Sequence, residues 1–311
     1  MVERVLVLYG GWSVEREVSL TSGEECATAL SQAGFSVEKY DVTADPRQLL
    51  DAIDPTDGPA PDVIFNALHG RGGEDGVVQG LLEMVGRPYT HSGVLASALA
   101  MDKPLAKTVF QAGGIKVPTG TVLARKDLSS NDLMPAPFVI KPAEEGSSVG
   151  VEIVREGDNR PAAYASSEGD PEDRLLVEEF IPGRELTVGV MGDRALTVTE
   201  IKPRSGFYDY RAKYTDGVAD HIIPAEIPPD VFELCLSQAT EAYRQLGCHG
   251  VSRADFRFDD TKPGTDGLYM LEVNTQPGMT PLSLVPEQAA HCGIDFAELC
   301  RWMVENARCP N

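Results

Sequence analysis

The chain has 311 residues, more than a single hydrophobic core usually supports, so two or three domains sharing a cleft are expected. Its 27 basic and 48 acidic residues give a formal net charge of −21, which opposes binding to nucleic acid or to anionic membranes. An anionic ligand therefore needs locally focused Lys and Arg.

VERVLVLYGG reads as a buried strand closed by two glycines, and Ser19 to Ala33 as a helix ending at Gly34. FSVEKYDV and PDVIFNALHG supply two more strands, with a helical stretch at DPRQLLDAI between them. Strand alternating with helix predicts a parallel sheet over about the first 95 residues. Gly10 and Gly11 then lie at the carboxyl end of the first strand, where such sheets bind ligands, and HGRGGEDG at 69–76 faces the same crevice. LASALAMDKPLAKTVFQAGG is helical, with Pro104 marking a boundary near Asp102 and Lys103. PFVIKPAEEGSSVGVEIV reads as two strands around a Gly/Ser turn, and LLVEEFIPGRELTVGVM as two strands broken at Pro182 and Gly183. Strands at TVTEI, RADFRF and LYMLEVN and a helix from Asp230 to Leu246 complete the chain. The six cysteines form no CxxC pair and read as small apolar residues in a reducing compartment. No apolar run reaches membrane-spanning length, so a cytoplasmic protein is expected.

The most informative stretch is LEVNTQPGMTPLSLVP, taken with RADFRF. Strand alternation puts Glu272 and Asn274 on one face, where Asp255 can stand beside them. Two carboxylates and an amide oxygen form a hard-cation site of the kind that joins magnesium to a nucleotide's phosphates. The alternative is a solvated acidic sheet edge. Arg253 shares that face and either neutralises the carboxylates or holds a phosphoryl group.

Common nucleotide signatures are missing: there is no Gly-Lys pair, hence no Walker A loop, and no GxGxxG. EGSSVG at 145–150 remains, where backbone N–H groups, the Ser147 and Ser148 hydroxyls and nearby Lys141 can meet phosphate; such turns also merely reverse a chain. Glu178 and Glu185 flank the VEEFIPGRE turn and suit the donor groups of a ribose or an adenine, or are solvated surface glutamates. Glu15 lies in the loop after the first strand, placed to hold a substrate ammonium, to cap the helix or to pair with Arg16. FYDYRAKYTDG, carrying Lys213 and Tyr214, is a surface loop or a lid that excludes water. His69 is either a satisfied strand-end residue or part of the crevice. No Ser/His/Asp triad is argued.

The ordered set GGWSVEREVSL, ALHGRGGEDGVVQG, GVLASALAMDK, VIKPAEEGSSVG, FYDYRAKY and LEVNTQPGMTPLSLVP covers nearly the whole chain and resembles the D-alanine:D-alanine ligases of the ATP-grasp superfamily. The resemblance implies an N-terminal α/β domain, Rossmann-like with a parallel sheet (1–96), then two α+β lobes forming an ATP-grasp fold (97–183 and 184–311). It implies that Lys103 and Lys141 contact phosphates under the Ser147 loop. Glu178, Glu185 and the backbone of Glu179 and Ile181 then hold adenine and ribose. Asp255, Glu272 and Asn274 bind two Mg2+ ions, or Mn2+ in their place. Glu15 anchors the ammonium of the first D-alanine and is linked by hydrogen bonds to Ser147 and Tyr214, with His69 in the substrate crevice. Lys213 and Arg253 face the phosphate, the Gly278 backbone meets the oxyanion, and Ser283 with Leu284 takes the carboxylate of the second D-alanine. A homodimer acting on D-alanine and ATP is implied, with no nucleic-acid or membrane partner. Two departures stand out: Gln276 where many relatives have serine, and Glu179 where some have lysine. Two other readings are a ligase using D-lactate or D-serine as acceptor, which Tyr214 disfavours, and a nucleotide-binding regulator without turnover.

Overall fold

The computed structural model describes residues 2–129, 133–146, 150–158, 169–204, 219–281 and 283–310. Strand β1 (Arg4–Gly10) buries Val5, Leu6, Val7 and Leu8 in succession, the pattern of a strand covered on both faces. Helix α1 (Arg16–Gln32) starts three residues earlier than the sequence suggests and closes at Ala33, with Gly34 in the left-handed region at φ 97°. Strand β2 (Ser36–Val42) leads to α2 (Pro46–Ile53), whose first turn is capped by the Asp45 carboxylate accepting from Arg47 N–H at 3.0 Å. Strand β3 (Val63–Asn66) and α3 (Val77–Val85) follow. The order β2-β1-β3 is parallel throughout, as the alternating elements predict.

The next helical stretch is two helices, α4 (Val94–Met101) and α5 (Lys103–Ala112), sharing Asp102 as end and start. The Asp102 carboxylate accepts from Leu105 N–H at 3.0 Å, and Pro104 sits in the first turn, where a missing N–H costs nothing. Strands β4 (Gly120–Ala124), β5 (Phe138–Pro142), β6 (Glu152–Val154) and β7 (Arg174–Glu179) form an antiparallel sheet in the order β4-β7-β5-β6. A second antiparallel sheet, β10-β9-β8-β11-β12, joins β8 (Arg184–Met191), β9 (Arg194–Pro203), β10 (Ala219–Ile222), β11 (Val251–Phe258) and β12 (Leu268–Asn274). Helix α6 (Pro229–Leu246) precedes β11, and α7 (Leu284–His291) and α8 (Phe296–Glu305) follow β12.

Two cores tie distant parts of the chain together. Phe110 and Ala106 of α5 and Ala100 of α4 pack with Leu186, Phe256, Met270 and α6, so these helices share a core with the five-stranded sheet. Val5, Phe65 and Leu30 pack with Met279, Val285, Leu299 and Met303, so α7 and α8 complete the core of the parallel sheet. Arg308 reinforces that join by exchanging backbone hydrogen bonds with Tyr89, at 3.1 and 3.2 Å, beside β3.

The Pro182–Gly183 break is where the chain passes from one antiparallel sheet to the other. Gly183 has φ 90°, and a Cβ there would stand 2.2 Å from the Phe258 carbonyl oxygen. Gly183→Ala is therefore expected to lose on the order of 1–3 kcal/mol from backbone strain alone, with the clash adding to it, as a lower denaturant midpoint in equilibrium unfolding.

Candidate active site

The two antiparallel sheets face each other across a cleft of about 820 Å3, counting space open to solvent. Lys141 on β5 and Glu178 on β7 project into it, with Nζ 2.6 Å from Oε1. The other oxygen, Oε2, accepts from Lys107 of α5. Burial pushes the Glu178 carboxyl up, yet Lys141 and Lys107 outweigh it and hold the group below the usual carboxylate range. Burial takes Lys107 down to about 8 against the attraction of Glu178, whereas Glu178 and Glu272 hold Lys141 above its ordinary value despite burial. Lys107 is absent from the sequence-based expectation. Its signal was the four-residue spacing from Lys103 in DKPLAK, which puts both ammonium groups on one helix face.

Lys103 also lines the cleft, donating to the Glu145 carbonyl and lying 3.9 Å from Glu272. Ile181 and Glu185 line it from the connection and the start of β8. The Glu179 carboxylate is turned to the Thr119 N–H at 2.9 Å.

The register of β11 and β12 brings the side chains of Asp255, Glu272, Arg253 and Asn274 to one face. Asp255 pairs with Glu272 and Arg253 with Asn274 across β11 and β12. Asp255 Oδ1 accepts from Thr187 Oγ1 at 2.6 Å and Arg253 Nε at 2.9 Å, and Oδ2 from Arg253 Nη2 at 2.8 Å. Asn274 Oδ1 accepts from the Gln276 N–H at 2.9 Å. An ionised carboxylate has about four acceptor sites and an amide oxygen two, so each residue retains a lone pair. This all-oxygen donor set fits a small hard cation.

Beyond Gly146 the cleft meets the crevice of the parallel sheet: a Cβ on Gly146 would lie 2.9 Å from Glu15 Oε1 and 3.5 Å from Glu74 Oε1. Arg16 pairs bidentately with Asp41, at 2.7 and 2.6 Å, and the Glu15 side chain makes no capping bond, so neither structural alternative for Glu15 holds. Glu74 is the second residue missed from sequence, although HGRGGEDG was expected to face this crevice. Burial, then the neighbouring Glu15, pushes the Glu74 carboxyl up to about 8. His69 is buried with Nε2 3.1 Å from Ser22 Oγ, and burial lowers it to about 4, so the ring is neutral.

Gln276 joins crevice to metal strand. Its Oε1 accepts from Asn66 Nδ2 at 2.9 Å and its Nε2 donates to the Leu68 carbonyl, while its backbone N–H holds Asn274. At the far end of the same segment a Cβ on Gly278 would lie 3.0 Å from Ser283 Oγ, which also accepts from Thr280 N–H at 3.1 Å. Ser283 caps the start of α7 by position, and Leu284 is that helix's first residue. Ser147, Ser148, Lys213 and Tyr214 lie outside the described residues.

Two family models match the sequence: "D-ala D-ala ligase C-terminus" over residues 109–305 and "D-ala D-ala ligase N-terminus" over residues 47–92. A D-alanine–D-alanine ligase from Granulibacter bethesdensis is 56% identical over 308 residues, 99% of both chains. The chain belongs to the D-alanine–D-alanine ligase family. A family member from Paramagnetospirillum magneticum is 57% identical over 310 residues, covering 99% of this chain and 100% of that one. Two crystal structures of the Bacillus anthracis ligase each cover 98% of this chain and 97% of their own. One, complexed with ATP, has a TM-score of 0.78 at 30% identity, and the other has 0.82 at 31%.

The acidic pair beside Gly146 makes stability depend on pH. Folded Glu74 keeps a proton that the unfolded chain releases above the usual carboxylate range, so this group's contribution falls as pH rises, until about 8, where the folded carboxyl also ionises. Glu74→Gln removes that dependence. Its melting temperature relative to wild type is expected to climb between about pH 4.5 and 8 and to level off above, measured by calorimetry across that range.

Proposed function

We propose that this chain is an ADP-forming ligase that joins two D-alanine molecules to D-alanyl-D-alanine through an acyl phosphate, a step in making peptidoglycan precursors. The observation that carries this reading is the meeting, at Gly146, of the cleft that holds Lys103 and Lys141 with the paired acids Glu15 and Glu74. The first suits phosphate and the second an ammonium, so ATP and an amino acid can lie within reach of each other. Family membership supports the same activity over the full chain.

In this scheme Glu178 and Glu185, with the backbone of Glu179 and Ile181, hold adenine and ribose. Lys103, Lys141 and the Ser147 and Ser148 turn hold the phosphates. When bound, two magnesium ions, or manganese, neutralise phosphate charge beside Asp255, Glu272 and Asn274. Glu15 holds the ammonium of the first D-alanine, with neutral His69 in the wall of the crevice and Ser147 and Tyr214 completing the hydrogen-bonded group around it. The carboxylate of that D-alanine attacks the γ-phosphate, releasing ADP, while Lys141, Lys213 and Arg253 spread the developing charge. The amine of the second D-alanine then attacks the acyl carbon. The Gly278 N–H stabilises the oxyanion, and collapse expels phosphate and leaves the new amide. Ser283 and the N–H of Leu284, at the positive end of α7, bind the acceptor's carboxylate.

The scheme fits a division into an α/β region (1–96) and two α+β lobes (97–183 and 184–311) that grasp ATP. A homodimer is supported by the exposed apolar side chains Val77 and Met84 on α3 and Leu95 on α4. A cytoplasmic location accords with six free cysteines and with the finding that no helix among the described residues is long and apolar enough to cross a membrane.

Phosphate release is expected to need ATP, magnesium and D-alanine together, with D-alanyl-D-alanine as the product even when D-lactate or D-serine competes. Finding no dipeptide by chromatography under those conditions would reject the proposal. Glu272→Gln should lower kcat by at least about 100-fold, since it weakens the hold on the cations that neutralise the transferring phosphoryl group. Ordinary turnover in that variant would remove the metal assignment.

A further inference from the structure

Lys107 has no part in the ligation scheme, yet it is buried with its ammonium on Glu178 Oε2. The two lysines on Glu178 approach from different sides. Lys141 and Glu178 both line the cleft, whereas Lys107 reaches the carboxylate from α5 behind it. A nucleotide can therefore draw Lys141 to its phosphates without disturbing Lys107. Glu178 then keeps one counter-charge, and its Oε1 turns from the lysine to the incoming base.

We infer that Lys107 is a positioning residue that keeps Glu178 ionised and aimed into the cleft once Lys141 engages phosphate, and thereby selects purines with a 6-amino group over those with a 6-oxo group. An ionised carboxylate is acceptor-only, so it receives the amino N–H of adenine and repels the carbonyl oxygen of hypoxanthine. A protonated carboxyl donates as well, and then both bases are accommodated. Burial is the leading influence on Glu178 and drives it toward protonation, with Lys141 and Lys107 the two charges that oppose it. Without Lys107, and with Lys141 on the phosphates, that opposition is gone. The inference rests on the reading that Glu178 contacts adenine.

The test compares ADP and IDP affinity by titration calorimetry, and KM for ATP and ITP, in wild type, Lys107→Met and Lys107→Arg. Wild type is expected to favour the amino purine by about tenfold or more, the worth of a hydrogen bond to a charged group. Lys107→Met should bring the two within about threefold of each other, and Lys107→Arg should restore the preference. If Lys107→Met does not fold, Lys107→Gln carries the same prediction, because it keeps a donor to Oε2 without the charge. Equal weakening of both nucleotides, with the wild-type ratio kept, would show a purely structural lysine and overturn the inference. A wild-type protein that does not discriminate would instead remove the adenine contact of Glu178, before any variant is considered.

Discussion

A carboxylate taken out of water is costly unless cations and hydrogen bonds replace its hydration, and the interior of this protein is organised around that requirement. Glu178 is held by Lys141 and Lys107, Asp255 by Arg253 and Thr187, and Glu272 lies near Lys103. Each pairing reaches from one secondary-structure element to another or fixes a side chain on its strand. The acids that line the cleft are thus also the points at which β5, β7, β11 and α5 are registered against one another. Glu15 and Glu74 are arranged differently: two acids lie close together, and the proton retained by Glu74 takes the place of a fixed cation.

This arrangement explains how a chain of net charge −21 can present a site for a polyanion. Lys103, Lys107 and Lys141 are concentrated on one wall of the cleft or just behind it, and low-dielectric surroundings extend their influence. Acids line the same cleft, among them Glu178, Glu185, Asp255 and Glu272, so a polyanion there depends on their being paired with these lysines or with bound cations.

Much of the fold and site was legible because it is local. Strand alternation put Asp255, Glu272 and Asn274 on one face, and register pairs Asp255 with Glu272 directly. Glycine, proline and cap signals marked the end of α1, the break at Asp102 and the crossover at Gly183. What escaped depends on separation along the chain. Lys107 and Glu178 are 71 residues apart, so a lysine on an amphipathic helix carried no sign of its partner. Glu74 looked like one of several polar residues in a glycine-rich loop, and only its packing against Glu15 sets it apart. Gln276 was read as standing beside Asn274, and its N–H does bond to that side chain. Its side chain, however, spans 210 residues to reach Asn66, a link that no local pattern encodes. The packing of α4 and α5 on the five-stranded sheet was hidden for the same reason.

The return of α7, α8 and Arg308 to the parallel sheet has a consequence for how the protein is made. Cys26 donates to the Met279 carbonyl and Arg301 to the Ala33 carbonyl, contacts 253 and 268 residues apart in sequence. During synthesis β1, β2, β3 and α1 emerge first, yet the apolar face they must cover stays bare until residues near 300 leave the ribosome. The first unit to appear is therefore the last to close, and its high contact order slows that closure. For most of translation the exposed flank of this sheet is the surface on which a nascent-chain chaperone would act.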